Sequence, residues 1–460
     1  MKFRVKENIT HKYSTIMYLA KKKYISDMIL ELNKTKKINE KELAEKILKS
    51  LVPFHSPFSI FSAKYNIFFN SKGAFNDDIL YGLSHSNKFL IYQYSRKFNR
   101  DLARLFLPKT ISHWNYISNN KKTMLAKQDL RLFYEKLFFY ISKKKKIDAW
   151  LSGNFGAFDE QEMAKAVKVC GGKFISFHKE CMLSNGWRDF FFKAFKFGRE
   201  KYQGHSVVVY NELTKKLIAD SGLFDEKKIM ILGMLRLDDL HYWRKRNLGK
   251  NLNNKKLGVF FTQPTAQFPS MIYKSGLKAF YDPKKNLQWT ELVRYTNEAI
   301  YEVALENKDI KIVVKPKVSD LALAKNLYKK FGKLPKNLVI DSYYYNNASD
   351  LIKDSDLVCA FNSSSILETM AAGKKIISPK FAEALKPTYK NHLLDYGNAP
   401  IYAQSKDDLK RLIVKNLNND NLKVNELGKE DRYILKYWTN NPNGNLGLKM
   451  PIMLEKLISS

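Results

Sequence analysis

Residues 357–378 read LVCAFNSSSILETMAAGKKIIS, and this stretch decides the fold that we expect. The apolar run LVCAF predicts a buried strand, because a strand covered on both faces is apolar throughout. Small polar residues follow at 362–365, where a helix has to begin. Gly373 ends that helix, and KKIISP at 374–379 predicts the next strand. The stretch is therefore a strand–helix–strand unit of a parallel sheet.

The turn at 362–365 is also a candidate anion site. A helix that begins at the carboxyl end of a parallel strand offers backbone N–H groups and a positive dipole end to a phosphate. Glu368 follows Ser365 by three residues, which is the spacing of a capping box. Spacing alone is equally consistent with serines that only cap the helix.

The same alternation of strands and helices extends to both sides of this unit. The polar, aperiodic stretch at 240–256 predicts a linker between two such regions. We therefore expect an α/β protein with two Rossmann-like domains that face each other across a cleft. The expected divisions are a basic helical N-terminal region at 1–80, a first domain at 81–240, a linker at 241–256, a second domain at 257–430 and a C-terminal helix or tail at 431–460.

Composition narrows the class of protein. Of 460 residues, 80 are Lys or Arg and 45 are Asp or Glu, so the formal net charge of +35 favours partners that carry phosphate or carboxylate groups. A hydrophobic fraction of 45% excludes a disordered chain. The three cysteines lack CxxC spacing, which argues against a zinc site and a disulfide framework. With no apolar run of about 18 residues, we expect a cytoplasmic protein that is at most peripheral to the membrane.

Residues 362–377, NSSSILETMAAGKKII, resemble the donor-binding segment of GT-B glycosyltransferases. The resemblance is strongest to bacterial surface-polysaccharide enzymes that use CMP-activated acidic sugars such as Kdo or sialic acid, and it extends to polyglycerol- and polyribitol-phosphate polymerases. It implies a nucleotide-sugar donor, a glycan or glycolipid acceptor of capsule or lipopolysaccharide type, and no further cofactor. The implied phosphate ligands are Ser363, Ser364 and Ser365, and the implied ribose ligand is Glu368. Asn362, at the end of the strand, is a further candidate for donor binding.

A second donor element follows the strand at 310–316. In the families that this chain resembles, a histidine commonly contacts the nucleotide phosphate there, whereas this sequence has Lys315-Pro316-Lys317. Either lysine can supply positive charge to a phosphate, but a lysine does not protonate a leaving group at neutral pH as a histidine can. The alternative is a solvated lysine pair after a strand.

The candidate catalytic residue of the first domain is Glu180. It follows the strand at 173–178 in the sequence HKECMLSNG, which places it at the carboxyl edge of the sheet and therefore at the cleft. A glutamate there can act as a base or a nucleophile. The alternative is an exposed ion pair with Lys179.

Two further residues are weaker catalytic candidates. Asp238 belongs to the sequence GMLRLDDL at 233–240, which resembles the Gly-x-x-Arg-x-Asp sequence that closes the first domain in surface-polysaccharide transferases. It either lines the cleft or pairs with Arg236 to hold the linker. Asn154 ends the strand expected at 147–154, between Gly153 and Gly156, where its amide would approach one of the two sugars.

The stretch at 187–205, WRDFFFKAFKFGREKYQGH, interleaves aromatic and basic residues. Such a helix suits an anionic membrane surface, with Phe side chains in the lipid boundary and cations at the headgroups. It equally suits stacking on nucleic-acid bases or on a sugar acceptor. The remaining interpretation is an amphipathic helix packed on the first domain.

Our leading hypothesis is a metal-independent GT-B glycosyltransferase. No Asp-x-Asp sequence sits at the end of an expected strand, which agrees with a mechanism that needs no metal ion. A glycerol- or ribitol-phosphate polymer transferase of the same fold is the first alternative. A nucleic-acid-binding protein is the second, but the positive charge is spread over the whole chain and no nucleic-acid-binding motif accompanies it.

Overall fold

The computed structural model describes residues 39–51, 62–70, 74–94, 96–113, 116–117, 120–153, 155–251, 254–262, 287–341, 347–419 and 422–460. Its first domain alternates strands and helices along the chain. The elements are α1 (Glu40–Ser50), β1 (Tyr65–Asn70), α2 (Ala74–Leu83), β2 (Phe89–Tyr94), α3 (Arg96–Phe106), α4 (Lys121–Lys144), β3 (Ala149–Ser152), α5 (Gln161–Val169), β4 (Lys173–His178), α6 (Asn185–Gly198), β5 (Ser206–Val209), α7 (Glu212–Asp220), β6 (Ile229–Ile231) and α8 (Leu237–Asn247). The sheet has the order β2-β1-β3-β4-β5-β6, and its strand pairs are all parallel.

The second domain repeats this plan. Its elements are β7 (Lys256–Phe260), α9 (Thr290–Glu306), β8 (Lys311–Lys315), α10 (Leu321–Phe331), β9 (Leu338–Ile340), α11 (Ala348–Asp354), β10 (Leu357–Cys359), α12 (Ser364–Ala371), β11 (Lys375–Pro379), β12 (Ile401–Ala403) and α13 (Lys406–Leu417). Two more helices, α14 (Lys429–Thr439) and α15 (Leu446–Ser459), end the chain. The sheet order is β12-β11-β10-β7-β8-β9, again with parallel pairs. A short 3₁₀ helix at Pro387–His392 follows β11. The expected architecture of two Rossmann-like domains around a cleft is confirmed.

The strands are apolar because helices cover both faces of each sheet. In β1, Phe68 packs in one hydrophobic cluster with Trp150, whereas its neighbours Ile67 and Phe69 pack in another cluster with Leu151. Successive side chains of a strand point to opposite faces, so one strand contributes to two cores. The first domain is therefore a three-layer structure with its sheet in the middle.

The expected division at residue 80 needs correction. The first sheet begins at Tyr65, because β1 lies between β2 and β3, and α2 spans the expected boundary. The strand YNIFFN was not anticipated, since its apolar residues sit inside a segment that otherwise looks basic and helical. Before β1 the structure describes one long helix, α1, which packs against α4; residues 1–38 lie outside the described residues.

The expected linker also needs correction, because α8 occupies much of it. The buried positions of this helix are Leu237, Asp238, Leu240, His241 and Arg244, which recur at helical spacing. Three of these five are polar, so hydropathy alone does not reveal the buried face. Arg244 donates from Nη1 to the carbonyl oxygen of Ala371 at 3.0 Å, which ties α8 to the second domain.

The end of the chain returns to the first domain. Met450 and Leu454 of α15 pack in one cluster with Ile79 and Leu83 of α2. The C-terminal segment expected at 431–460 is thus two helices, α14 and α15, of which the second completes the first domain's packing. A further cluster joins residues of both domains and α14; among them are Tyr210, Met234, Leu367, Met370 and Trp438.

Candidate functional site

The carboxyl ends of the two sheets face a shared cleft with a cavity of about 690 Å³. Residues that follow β4, β7, β8 and β10 line it, as expected where parallel strands end at one edge of a sheet. From the first domain the lining includes Lys179 and Glu180, and from the second it includes Lys317, Ser363 and Ser364. The cleft therefore brings together candidates from both domains.

The N-terminus of α12 forms part of the second-domain wall. Ser363 is its N-cap, and its Oγ accepts a hydrogen bond from the backbone N–H of Ser365 at 3.3 Å. The helix thus begins two residues before the position that a capping box of Ser365 and Glu368 requires. Ser365 is 2% exposed and donates its hydroxyl to Ser363 Oγ at 2.9 Å. Of the three serines, Ser363 and Ser364 line the cavity.

Asn362 makes the turn between β10 and α12 with a φ of 50°, in the left-handed region that asparagine tolerates better than most residues. Its Nδ2 donates to the carbonyl oxygen of His392 at 2.7 Å, and its Oδ1 accepts from the N–H of Leu394 at 2.8 Å. The side chain thus holds the segment at 392–394 against the helix start. Asn362 also lines the cavity, so its role in donor binding stays a prediction.

Glu368 takes part in an ion-pair network between the domains. Its Oε1 lies 3.5 Å from Nε of Arg236, whose Nη1 lies 3.6 Å from Oδ2 of Asp78 in α2. Burial raises the pKa of both carboxyl groups, and the charge of Arg236 opposes that rise. Glu368 also accepts from Ser364 Oγ at 3.2 Å. Its carboxylate therefore ties α12 to the first domain, which is a different role from the expected ribose contact.

The two lysines after β8 differ in their surroundings. Lys315 ends the strand, and its Nζ lies 2.8 Å from Oδ2 of Asp341, which follows β9. Lys317 is exposed and lines the cavity, whereas Lys315 does not. Of the two expected phosphate ligands, Lys317 is therefore the one whose side chain can reach a ligand in the cleft.

Glu180 lies where the sequence predicts it, two residues after β4. It is exposed and lines the cavity together with Lys179. Its backbone carbonyl accepts from Oγ1 of Thr214 at 3.1 Å, which fixes the turn after the strand. The carboxylate is thus held at the edge of the cleft on a backbone anchored to α7.

Asp238 lies outside the residues that line the cavity. It is buried, and its carboxylate accepts from Nδ2 of Asn441 and from the N–H of Gly447, both at 2.7 Å. Burial raises its pKa. Because residues two apart on a helix do not face each other, Arg236 and Asp238 point to different neighbours. Asp238 therefore holds the segment before α15, which corrects both the catalytic role and the pairing with Arg236.

The aromatic stretch at 187–205 contains α6, whose aromatic side chains mostly face inward. Phe195 is 1% exposed and belongs to the first-domain core, and Phe192 packs partly buried against that core. Trp187, Phe190 and Phe191 line the cleft. Of the six aromatic residues of α6, Phe197 is the one that is highly exposed, at 55%. The described residues therefore fit a helix packed on the first domain better than a membrane-inserting one.

Sequence reasoning missed several residues of the cleft. His392 packs its ring against Gly186, where an added Cβ would lie 2.6 Å from Cε1, and burial lowers its pKa. It lies 13 residues beyond the end of β11 at Pro379, so no strand end pointed to it. Arg96 and Arg199 were missed because isolated arginines carry no spacing signal. Asn154 lies outside the described residues, although its neighbours Gly153 and Phe155 line the cavity.

The described residues contain no group of three or more His, Cys, Asp or Glu residues arranged to hold a metal ion. In the same part of the chain, no helix has both the length and the apolar run needed to cross a membrane. The three cysteines carry free thiols. The metal-independent mechanism stays a prediction.

Comparisons with known proteins give likenesses of fold only. No model of a protein family matches the sequence, and no curated protein matches it. Among solved structures, the UDP-GlcNAc 2-epimerase of Methanocaldococcus jannaschii is 14% identical, with 85% of this chain and 99% of that chain covered and a TM-score of 0.44. MurG of Acinetobacter baumannii is 10% identical, with 86% and 99% covered and a TM-score of 0.40. Staphylococcus aureus TarM, in a complex with UDP, is 13% identical, with 71% and 59% covered and a TM-score of 0.38.

Proposed function

We propose that this chain is a glycosyltransferase that moves a sugar from a nucleotide-activated donor to a glycan or glycolipid acceptor. The observation that supports this proposal is the cleft itself, where Glu180 of one domain and Lys317 and Ser364 of the other line a single cavity. Its volume of about 690 Å³ suits a small-molecule ligand. A cleft between two domains that is lined by polar groups from both favours an enzyme over a nucleic-acid-binding protein.

The proposed reaction uses the two walls for different tasks. The second domain holds the donor phosphates at the N-terminus of α12 and beside Lys317, where positive charge stabilises the departing nucleotide. From the first domain, Glu180 takes the proton from an acceptor hydroxyl. The acceptor oxygen then bonds to the anomeric carbon, and the bond from that carbon to the phosphate oxygen breaks. The nucleotide leaves with the electron pair of that bond.

A donor screen tests this proposal. Within the described part of the cleft, no observation favours a CMP-linked acidic sugar over a UDP-linked sugar, so the assay contains both. We expect slow release of nucleotide from one donor even without an acceptor. Transfer of glycerol phosphate or ribitol phosphate would instead identify the polymer transferase. Binding of DNA with a steep salt dependence, and no release from any donor, would contradict the proposal.

We also propose that the membrane contact expected of α6 is made by α4. Leu125, Leu132 and Phe139 are 50%, 42% and 50% exposed, and their spacing of seven residues puts them on one face. Lys136 and Lys143 are exposed on the same helix, and Nζ of Lys143 lies 4.2 Å from the ring centroid of Phe139. Exposed apolar side chains among lysines suit an anionic bilayer.

Vesicle cosedimentation tests the role of α4. Full-length protein is mixed with vesicles of phosphatidylcholine alone or with added phosphatidylglycerol. We expect binding to the anionic vesicles that falls several-fold in Leu132→Ser/Phe139→Ser. The matched control is Leu448→Ser/Ile452→Ser on α15. In the wild type, Leu448 is 62% exposed and Ile452 is 71% exposed. Equal binding of both variants would contradict the assignment to α4.

A further inference from the structure

The first-domain wall of the cleft carries a buried cation, Arg199, which follows α6. Its side chain is 8% exposed and lines the cavity. Nη1 donates to the carbonyl oxygen of Phe155 at 3.0 Å, and the guanidinium lies 4.7 Å from the ring centroid of Phe195. Burial lowers the pKa of Arg199 to about 9, because a desolvated guanidinium is costly to keep charged. An anion in the cavity would offset that cost.

Arg96 and His113 lie on the same wall. Arg96 begins α3, directly past the carboxyl end of β2, and lines the cavity. Nδ1 of His113 accepts from the N–H of Phe158 at 3.1 Å, which leaves Nε2 as the donor of the neutral ring. Arg199 contacts Phe155 and His113 contacts Phe158, so both adjoin the loop after β3.

The acidic groups near this wall are buried behind it. Asp159 and Glu160 are fully buried, and burial raises the pKa of both, that of Glu160 to about 7. The charges of Arg96 and Arg100 act on Asp159. Among the described residues that line the cavity, five are arginines or lysines and one, Glu180, carries a carboxylate; the five are Arg96, Lys179, Arg199, Arg236 and Lys317. The cavity surface is therefore strongly positive.

The positive groups fall on two opposite walls. Lys317 and the start of α12 belong to the second domain and are used by the donor in the function proposed above. Arg236 is paired with Asp78 and Glu368. Arg96 and Arg199 belong to the first domain, and the donor does not account for them. Next to them, Trp187 and Phe191 give the first-domain wall an apolar surface that suits a sugar ring or a lipid chain.

We propose that the acceptor carries an anionic group, a phosphate or a carboxylate, which Arg96, His113 and Arg199 hold on the first-domain wall. This inference rests on the proposed function, since it names the acceptor class of the same site. Arginine is suited to the task because its planar fork of donors matches both oxyanions. The apolar or sugar part of the acceptor lies against Trp187 and Phe191.

The test compares two arginines of one helix. Arg96 lines the cavity, whereas Arg100 lies one turn further along α3, outside the lining, and its charge also acts on Asp159. Inorganic phosphate and propionate are titrated, at constant ionic strength, into full-length wild type, Arg96→Gln and Arg100→Gln. The donor site is blocked by saturating nucleotide, and thermal stability reports binding. Phosphate stabilises proteins in general, so the difference between the variants is the signal.

We expect Arg96→Gln to raise the Kd of the preferred anion about tenfold and Arg100→Gln to leave it within about twofold. Preference for phosphate identifies a phosphorylated acceptor, and preference for propionate identifies a carboxylated one. Equal effects of the two substitutions, or no binding of either anion, would overturn the inference.

Nucleotide binding to the wild type tests the proposed function separately from the anion site. If neither UDP nor CMP binds the wild type, the donor site is refuted. The anion titration is then repeated without nucleotide in a Lys317→Ala background, which removes the second-domain lysine. Binding that still depends on Arg96 supports the first-domain site, and binding that does not overturns it.

Discussion

The ends of β4 and β10 meet at one cleft, but they use their polar residues differently. After β10, the side chains of Asn362, Ser365 and Glu368 make hydrogen bonds or ion pairs with other residues of the chain. These contacts stabilise the second-domain wall of the cleft. After β4, Glu180 is exposed at the cavity, and its backbone carbonyl makes the contact that anchors it. A polar motif after a strand can therefore supply either a scaffold or a reactive group, and the packing around it decides which.

The largest effect expected from this difference is on Glu180. Glu180→Gln keeps the size of the side chain but cannot accept a proton, so we expect nucleotide release to fall by about 10²- to 10⁴-fold. The Kd of the nucleotide should stay unchanged, since a base acts mainly in the transition state. Glu212→Gln on the exposed start of α7 is the control. Near-normal turnover of Glu180→Gln would remove it from catalysis.

Because Glu368 pairs with Arg236 between the domains, we expect a large loss of stability when Arg236 is replaced. Arg236→Gln leaves the buried carboxyl groups of Glu368 and Asp78 without their countercharge, so we expect the free energy of unfolding to fall by about 3–5 kcal/mol at pH 7. Arg411→Gln breaks an exposed pair with Asp408 and should cost less than about 1 kcal/mol. Urea unfolding measures both.

The same variant has a pH dependence with a definite sign. The native pKa values of Glu368 and Asp78 are raised by burial, and loss of Arg236 raises them further. A carboxyl group with a raised native pKa makes the fold less stable as the pH rises above its unfolded value of about 4. The deficit of Arg236→Gln should therefore shrink between pH 7 and pH 4.5. An equal deficit at both pH values would contradict the network.

Asp238 lies outside the cleft, and both of its carboxylate oxygens accept hydrogen bonds from the C-terminal part of the chain. Asp238→Ala leaves one N–H of Asn441 Nδ2 and the N–H of Gly447 buried without an acceptor, while the other N–H of Nδ2 keeps the carbonyl oxygen of Met234. We therefore expect a loss of about 2–3 kcal/mol in the free energy of unfolding. Nucleotide affinity should not change. A weaker nucleotide Kd in a variant that unfolds like the wild type would return Asp238 to the site.

The sequence predicts the architecture and the place of the cleft well. Continuous apolar runs mark most strands, and parallel strands bring their carboxyl ends to one edge, so Glu180, Lys317 and Ser363 could be placed at the cleft from order alone. The sequence does not predict which polar side chains are paired with other residues of the chain and so cannot contact a ligand. Glu368 meets Arg236, 132 residues away in the chain, and a contact of that kind leaves no local signal.

Three other features of the fold are not predicted by the sequence, and each has a physical reason. The buried face of α8 includes His241 and Arg244, so its helical period is hidden from hydropathy. The strand β1 sits in a basic segment and is recognised only by its pairing with β2 and β3. The inward orientation of α6 could not be read from composition, because aromatic residues suit a protein core and a membrane surface alike.

The second-domain wall of the cleft is proposed to bind the donor nucleotide. Calorimetry tests this directly when UDP and CMP are titrated into wild type, Lys317→Ala and Lys315→Ala. The two lysines are two residues apart, but Lys317 lines the cavity and Lys315 is paired with Asp341. We predict that one nucleotide binds the wild type, that Lys317→Ala raises its Kd about tenfold and that Lys315→Ala changes it less than about twofold. Failure of both nucleotides to bind, or an equal loss of affinity in the two variants, would contradict donor binding at the second-domain wall.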